Sequence, residues 1–215
     1  MAHSVLVIGL GRFGSAAALE LVKLGHEVLA IDSEEDRVNE LAPQVTRALQ
    51  LDATDPDALR AVGAADFEHA IVAISESVEA SVFAVMALKE LGVGNVIAKA
   101  GSRLHGSILD KAGADRVVFP EREMGQRVAH SFNVRDVVDY LDVASEFGIV
   151  KVRPPASFVG RSFRDLALES RLGLTPVAVR RGTTVTVNPP PETTIAADDE
   201  LILIGRDDRL EQLER

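Results

Sequence analysis

The stretch VLVIGLGRFGSAAALELVKLGHEVLAID, residues 5–32, is the strongest indication of the fold in this sequence. It begins with Val5–Ile8, a continuous aliphatic run that is typical of a strand buried on both faces. Apolar residues then recur at steps of three or four from Phe13 to Leu24, which predicts a helix, and Gly25 supplies its left-handed end. A second apolar run, Val28–Ile31, predicts another buried strand. The stretch therefore predicts a strand–helix–strand unit.

Three glycines lie between the first strand and the helix in the pattern GxGxxG. Gly9 allows the tight turn, Gly11 lets the backbone approach a diphosphate, and Gly14 permits close packing of helix on strand. Asp32 follows Gly14 by eighteen residues at the end of the second strand, where a carboxylate accepts hydrogen bonds from ribose hydroxyls. A tight turn with a chance acid is the alternative, but the strand and helix context favours a nucleotide site.

Strands and helices keep alternating up to residue 119, and six strands separated by helices predict a doubly wound parallel sheet of the Rossmann type. The later strands are expected at 46–51, 70–74, 96–99 and 116–119, and the later helices at 33–41 (with Ser33 as N-cap), 56–62, 78–91 and 104–112.

The pattern changes after Phe119. A long helix is expected from Glu121 to Phe132, and a short amphipathic piece around residues 137–141. Short strands, a helix near 162–170 and a closing helix from Asp207 then predict a small α+β lobe. Its strands are expected at 148–152, 175–179, 184–187 and 201–204. The predicted domains are 1–120 (nucleotide-binding lobe), 121–141 (crossover helix and linker) and 142–215 (C-terminal lobe).

Polar residues follow the other predicted strands at the carboxyl edge, where open α/β sheets bind ligands. They are Asp52, Thr54 and Asp55 after the third strand, Ser75 and Glu76 after the fourth, Lys99 at the fifth and Glu121 after the sixth. Taken singly, the Asp52–Asp55 segment is as good a helix cap as a base-binding loop. Lys99 could equally be a solvated strand end, and Glu121 is favourable at a first helical turn through the helix dipole alone.

Composition excludes several functions. The 215 residues carry a net charge of −10, which repels a phosphate backbone, so nucleic acid is not an expected partner. Cysteine is absent, which excludes disulfides and thiolate metal sites. No apolar run reaches the length of a membrane span, so a soluble chain in the cytoplasm is expected.

The proton-transferring groups of a dehydrogenase are not visible. None of the five histidines falls in the second lobe, and the only tyrosine, Tyr140, falls in the predicted linker. No pair of histidines has helical metal-ligand spacing. The sequence thus predicts a binding site without catalytic chemistry.

In several motifs the sequence resembles the KtrA/TrkA-type RCK (regulator of potassium conductance) subunits of the Ktr and Trk potassium-uptake systems. The motifs that carry the resemblance are VIGLGRFG (7–14), LDATD (51–55), GADRVVFPEREMG (113–125), GRSFRDL (160–166) and DDELILIG (198–205). The FPExxMG stretch is the most specific, because it starts the helix that joins the two lobes.

The resemblance implies an adenine nucleotide as ligand, with ATP and ADP as opposing effectors and NAD(H) in some relatives. By this analogy Gly9, Gly11, Arg12, Phe13 and Gly14 hold the phosphates. Asp32 holds the ribose, Asp52 and Thr54 the adenine region, and Lys99 lies near the nucleotide. Ser75 joins this set through its place at the same edge. Independently, the Arg12 guanidinium can reach a terminal phosphate that ADP lacks, unless it is an ordinary surface arginine.

The resemblance also implies a divalent cation or sodium at Glu121, close to the terminal phosphates. It implies a C-terminal lobe that dimerises and binds cyclic di-AMP in some relatives. Arg180, Asn188 and Pro190 lie near the expected pocket, but they are more readily explained as ordinary turn residues and are not taken as site residues. The implied partners are a membrane potassium-translocating subunit (KtrB/TrkH type) and further copies of the chain, as homodimers in an octameric ring at the inner face of the membrane.

Two other functions stay open from sequence. One is an NAD-dependent oxidoreductase whose substrate site is shared between chains, and the other is a redox sensor that couples NADH to a channel. Asp32 accepts the ribose of NAD(H) and of adenosine nucleotides alike, so it does not separate them.

Overall fold

The computed structural model describes residues 2–133, 137–210 and 213. The chain divides into two compact units, Met1–Glu121 and Arg122–Arg215. No helix within the described ranges combines the length and the apolar character that crossing a membrane requires.

The first unit, described from residue 2 onward, contains a six-stranded parallel sheet in the order β3-β2-β1-β4-β5-β6. Its strands are β1 (Ser4–Ile8), β2 (Glu27–Asp32), β3 (Arg47–Gln50), β4 (His69–Val72), β5 (Asn95–Lys99) and β6 (Arg116–Val118). Its helices are α1 (Arg12–Lys23), α2 (Glu35–Leu41), α3 (Pro56–Ala61), α4 (Val78–Glu90) and α5 (Arg103–Lys111), and α6 (Pro120–Asn133) begins at its end. The order reverses between β1 and β4, which confirms the predicted doubly wound sheet.

The central strand β1 explains why the opening run is apolar at every position. Leu6 and Ile8 pack into the hydrophobic cluster on one face of the sheet, while Val5 and Val7 pack into the cluster on the other face. A strand covered on both sides has no polar face to show. This arrangement places the glycine turn that follows β1 in the middle of the carboxyl edge.

The ends of the first two helices differ in how well they were predicted. α1 ends as expected, with Gly25 in the left-handed region at φ 86°. The prediction of Ser33 as the N-cap of α2 is wrong, because Glu34 occupies that position and no side chain caps it. The Asp32 carboxylate accepts the Glu34 N–H at 2.9 Å instead, so the site residue also serves the helix start.

Among the described residues of the second unit, five strands form an antiparallel sheet in the order β10-β9-β11-β8-β7. They are β7 (Val137–Ala144), β8 (Phe147–Val152), β9 (Thr175–Arg181), β10 (Thr184–Val187) and β11 (Asp199–Arg206). The short helices are α7 (Phe163–Leu166), α8 (Leu168–Leu172) and α9 (Asp207–Leu210). Side chains such as Val150, Leu174 and Leu201 form its separate core. The predicted α+β C-terminal lobe is confirmed.

Two predictions for this unit are wrong in detail. Residues 137–141, expected as an amphipathic piece in the linker, lie in β7 and pair with β8 in the second sheet. The single helix expected near 162–170 is two helices, because Ala167 adopts a left-handed conformation at φ 48° between α7 and α8. Leu166 and Leu168 on either side are both buried, and this packing holds the unusual backbone in place.

Candidate functional site

A cleft opens at the carboxyl edge of the parallel sheet, around the point where the strand order reverses. Its volume is about 730 Å³ including the part open to solvent. The walls come from the segments that follow four strands: Ile8–Gly11 after β1, Asp32–Arg37 after β2, Leu51–Thr54 after β3 and Ala73–Ala80 after β4. Six predicted site residues line it: Gly9, Gly11, Asp32, Asp52, Thr54 and Ser75.

Each glycine of the turn after β1 occupies a different structural environment. Gly9 has a left-handed φ of 90° and lies against the backbone of Ala73 and Ile74. A Cβ on Gly14 would lie 1.8 Å from the Gly9 carbonyl oxygen, so only glycine lets α1 start this close to β1. Among the described residues, no atom lies within 4 Å of where a Cβ on Gly11 would be. Gly11 is therefore free of packing constraints and lines the cleft, which leaves its surface available to a ligand.

Asp32 is 5% exposed and organises the glycine turn through its hydrogen bonds. One carboxylate oxygen accepts the Leu10 N–H at 2.5 Å, and the other accepts the Glu34 N–H at 2.9 Å. The Arg37 guanidinium lies 3.6 Å from the same carboxylate. A carboxylate held in this way keeps its orientation and still has lone pairs for ribose hydroxyls.

Arg37 is a cleft residue that the sequence reasoning missed. Its guanidinium lies between Asp32 and Glu76 and donates a hydrogen bond to Glu76 at 3.0 Å. The hydrogen bond that Arg37 donates to Glu76 is the main factor that raises the pKa of Arg37. Its position five residues after Asp32, on the first turns of a helix that starts at the cleft, is the signal that could have identified it. The pair spans the mouth between the ends of β2 and β4.

The Asp52–Asp55 segment lines the cleft with its first residues and caps a helix with its last. Asp52 accepts hydrogen bonds from the Thr54 N–H at 2.9 Å and from the Thr54 hydroxyl at 2.7 Å, and these bonds lower the pKa of the Asp52 carboxyl. Asp55 caps α3 by accepting the Asp57 N–H. Asp52 and Thr54 line the cleft, whereas Asp55 serves the helix.

A second group of predicted residues forms a charged cluster beside the glycine turn. Lys99, 7% exposed at the end of β5, lies 2.6 Å from the Glu121 carboxylate, and its ammonium is 5.9 Å from the centre of the Phe13 ring. The hydrogen bond from Lys99 is the main cause of a lowered pKa at Glu121, and the charge of exposed Arg12 acts in the same direction. Lys99 is thus a buried, paired cation and not a solvated strand end.

In the second unit, Arg180 is already engaged within its own sheet. It donates to Glu200 at 2.6 Å, and Lys151 pairs with the same carboxylate at 2.7 Å. Asn188 follows β10 with a left-handed φ of 52°, as a turn residue does.

Family models match both units. The TrkA-N domain model matches residues 5–120, and the TrkA-C domain model matches residues 148–215. Curated relatives match along nearly the whole chain. The Ktr system potassium uptake protein C of Bacillus subtilis (strain 168) is 40% identical over 205 residues, 95% of this chain and 93% of that protein. The Ktr system potassium uptake protein A of the same organism is 36% identical, over 97% of this chain and 94% of that protein.

Solved structures share the fold at lower identity. A crystal structure of the GsuK RCK domain has a TM-score of 0.69 at 20% identity, and the match covers 100% of this chain and 47% of that one. A GsuK channel structure described as bound to NAD has a TM-score of 0.66, also at 20% identity, with 98% and 38% covered. This chain therefore spans about half or less of the solved chains, and these likenesses concern the fold.

Proposed function

The chain belongs to the family of Ktr system potassium uptake proteins, in which a TrkA-N domain precedes a TrkA-C domain, and we propose that it regulates potassium uptake by binding an adenine nucleotide. In this function ATP and ADP stabilise different states of the protein. The proposed nucleotide-binding lobe is 1–120. The boundary predicted between the connecting segment (121–141) and the C-terminal lobe (142–215) moves back to residue 137, because β7 belongs to the second sheet.

The observation that carries the proposal is the convergence of two sets of groups at one edge of the sheet. The cleft offers the open backbone of Gly11 to phosphates and the fixed carboxylate of Asp32 to a ribose. The cluster of Arg12, Lys99 and Glu121 adds two positive charges and one negative charge beside it. Backbone N–H groups at a helix start and nearby cations are what a nucleotide phosphate requires.

The Lys99–Glu121 pair supplies a means to distinguish ATP from ADP. A terminal phosphate that reaches this cluster competes with Glu121 for the Lys99 ammonium and gains Arg12 as a second partner. ADP lacks that phosphate and leaves the pair intact. A ligand shifts a conformational equilibrium only by its differential affinity for the two states, so this difference in contacts is the required element.

Glu121 also fits the hard cation that the family resemblance implies. A carboxylate oxygen is a preferred ligand of Mg²⁺ and related ions, which proteins commonly hold through one or two carboxylates together with substrate phosphates. Glu121 is 66% exposed in its side chain and could meet such an ion once Lys99 turns to a phosphate. The ion would offset the repulsion between the carboxylate and the phosphates.

The assembly is part of the proposal. Homodimers in an octameric ring would act on a membrane potassium-translocating subunit from the cytoplasmic face of the membrane. The relatives support the coarser part of this proposal, because they are named as potassium uptake proteins of the Ktr system. NAD(H) remains an alternative ligand of the same cleft, and cyclic di-AMP a proposed ligand of the C-terminal lobe on the strength of the GRSFRDL and DDELILIG motifs.

The test is a calorimetric titration of nucleotide-free protein with ATP, ADP and NADH, for the wild type and for Arg12→Ala. We expect Arg12→Ala to weaken ATP at least about tenfold, equivalent to 1.4 kcal/mol, and ADP much less. The matched control is Lys23→Ala, which removes an exposed cation at the opposite end of the same helix. Equal binding of ATP and ADP by the wild type, or an Arg12→Ala variant that binds both unchanged, would refute the switch.

A further inference from the structure

Three histidines gather at the amino-terminal edge of the parallel sheet, opposite the nucleotide cleft. In the registers of β1 with β4 and with β2, Val5 pairs with His69, and Ser4 pairs with Glu27. Parallel pairing therefore brings His3 and His26, which precede β1 and β2, close to the first residue of β4. The His3 ring lies 5.0 Å from the His69 ring, edge to face, and 5.6 Å from the His26 ring, stacked.

We propose that His3, Glu68 and His69 form a binding site for one divalent transition-metal ion of the zinc class. Each residue offers one ligand atom, and these atoms all lie within 4.8 Å of one another. Two imidazoles and one carboxylate are a ligand set that proteins use for zinc, with water in the fourth position.

The geometry needs only a small closure. His69 Nε2 and a Glu68 carboxylate oxygen are 3.9 Å apart, and ligand atoms around a tetrahedral zinc are about 3.3 Å apart for bonds of about 2.0 Å. His3 and Glu68 are exposed, so their side chains can rotate toward the ion without disturbing the core. His69 is the fixed member, because it belongs to a central strand.

Neighbouring groups hold two of the imidazoles in place. The Asn95 side-chain amide lies 3.3 Å from His69 Nδ1, and the other ring nitrogen, Nε2, lies on the side of Glu68. A 180° rotation of the Asn95 amide exchanges its nitrogen and its oxygen at Nδ1. The oxygen can accept a hydrogen bond from a protonated Nδ1, which is the tautomer that binds metal through Nε2. The His3 backbone N–H donates to His26 Nδ1 at 3.1 Å and ties the start of the chain to β2.

The ligand chemistry separates this site from the nucleotide end. Imidazole nitrogens favour zinc and its neighbours in the first transition row, whereas Mg²⁺ and Ca²⁺ favour oxygen ligands. An ion at His3, Glu68 and His69 joins the start of the chain to the start of β4, and it should therefore stabilise the first unit against heat.

The experiment uses the full chain, free of any histidine tag and of nucleotide, in metal-free buffer. Zinc chloride is titrated calorimetrically, and cobalt chloride is titrated with visible absorbance as a probe of four-coordinate geometry. We expect saturation at one ion per chain, the absorption of tetrahedral cobalt, and a rise in Tm with zinc.

The variants are chosen so that misfolding does not decide the result. His3→Ala, at an exposed position, and Glu68→Gln should each weaken zinc at least about tenfold, and His69→Ala at least as much. Glu27→Gln is the matched control, because it removes an exposed carboxylate at the same edge that bonds to Ser4 and lies outside the ligand set. Glu121→Gln should leave the cobalt spectrum unchanged.

The proposal would be overturned by any of four results: no saturable zinc binding, zinc binding by His3→Ala equal to that of the wild type, an equal loss in Glu27→Gln and Glu68→Gln, or a loss of the cobalt spectrum in Glu121→Gln. The last result would place the ion at the nucleotide end. None of these readouts depends on nucleotide binding, so failure here leaves the proposed regulatory function standing.

Discussion

Alanine substitutions at Gly14 and Gly11 should separate the two roles of the glycine turn. At Gly14 a Cβ would lie 1.8 Å from the Gly9 carbonyl oxygen, so the start of α1 must move away from β1. At Gly11 a Cβ would meet no atom within 4 Å, and the backbone has φ −67°, which alanine adopts without strain. Both variants have the same added methyl group in the same turn. Their expected effects are nevertheless opposite.

The magnitudes follow from these contacts. Overpacking of a tight site costs about 1–3 kcal/mol and sometimes more, and the backbone clash at Gly14 places it at about 3 kcal/mol. For a unit of this size that loss lowers Tm by roughly 12 °C. Gly11→Ala gains about 0.4–1 kcal/mol from a less flexible unfolded chain and loses about 0.5–1 kcal/mol at the N-cap, where glycine is preferred to alanine, so its stability should stay within about 0.5 kcal/mol of the wild type. Its new methyl group stands where a phosphate would approach, and nucleotide affinity should fall at least about tenfold.

Differential scanning calorimetry and nucleotide titration together test this pair. Calorimetry should show a lower transition for Gly14→Ala and an unchanged one for Gly11→Ala, while titration should show weakened nucleotide binding in Gly11→Ala despite its normal stability. If Gly11→Ala binds ATP as tightly as the wild type, phosphates do not approach this turn and the proposed site is misplaced. If Gly14→Ala is as stable as the wild type, the packing argument fails.

Three further predictions concern stability. Burial lowers the pKa of His105 below 6.5, so the stability of the first unit should be full above about pH 6.5 and should decline as the pH falls, by at most about 1.4 kcal/mol per pH unit. Urea unfolding from about pH 7 to about pH 5 measures this slope, and a flat profile would contradict the prediction. Hydrogen bonds from Arg180 and from Lys151 lower the pKa of Glu200 to about 2, so the contribution of Glu200 to stability should be present above pH 4.5 and lost as the pH falls from 4.5 to about 2. Acid unfolding followed by circular dichroism should depend less on pH in Glu200→Gln than in the wild type, and identical curves would disprove this. The Tyr140 hydroxyl donates to Asp207 at 2.7 Å, and Tyr140→Phe should cost about 1.5 kcal/mol in thermal unfolding, whereas no change in Tm would show that the bond contributes nothing.

Local patterns predicted the first unit well because its strands β1 and β2 are buried on both faces. Each signal in the opening stretch reflects a local requirement: a buried strand for Val5–Ile8, a tight turn for the three glycines and a fixed carboxylate for Asp32. The structure meets all three within this stretch. The strand β7 was missed because its hairpin lacks the usual turn residues. Glu146 takes the left-handed position at φ 65°, where glycine or asparagine would have marked a turn.

Contacts between distant residues could not be predicted in this way. Lys99 and Glu121 are separated by a helix and a strand, and His3 and His69 by half of the first unit, so no spacing rule connects either pair. Parallel register brings them together. In such a sheet every strand contributes its last residues to one edge and its first residues to the other, which places oxygen ligands and cations at the carboxyl edge and the imidazoles at the amino edge.

Asp32 is the clearest functional residue in the sequence, yet the structure makes it a poor probe of nucleotide binding. Its carboxylate accepts the N–H groups of Leu10 and Glu34 in a nearly buried position, so Asp32→Ala would leave two backbone donors without this acceptor. A loss of affinity in that variant would report a disturbed turn as readily as a lost ribose contact. Gly11 and Arg12 have no comparable structural role. Among the described residues, a Cβ on Gly11 would contact no neighbour, and Arg12 is exposed at the start of α1. The residues that best separate fold from function in this cleft are therefore those with the fewest contacts inside the protein itself.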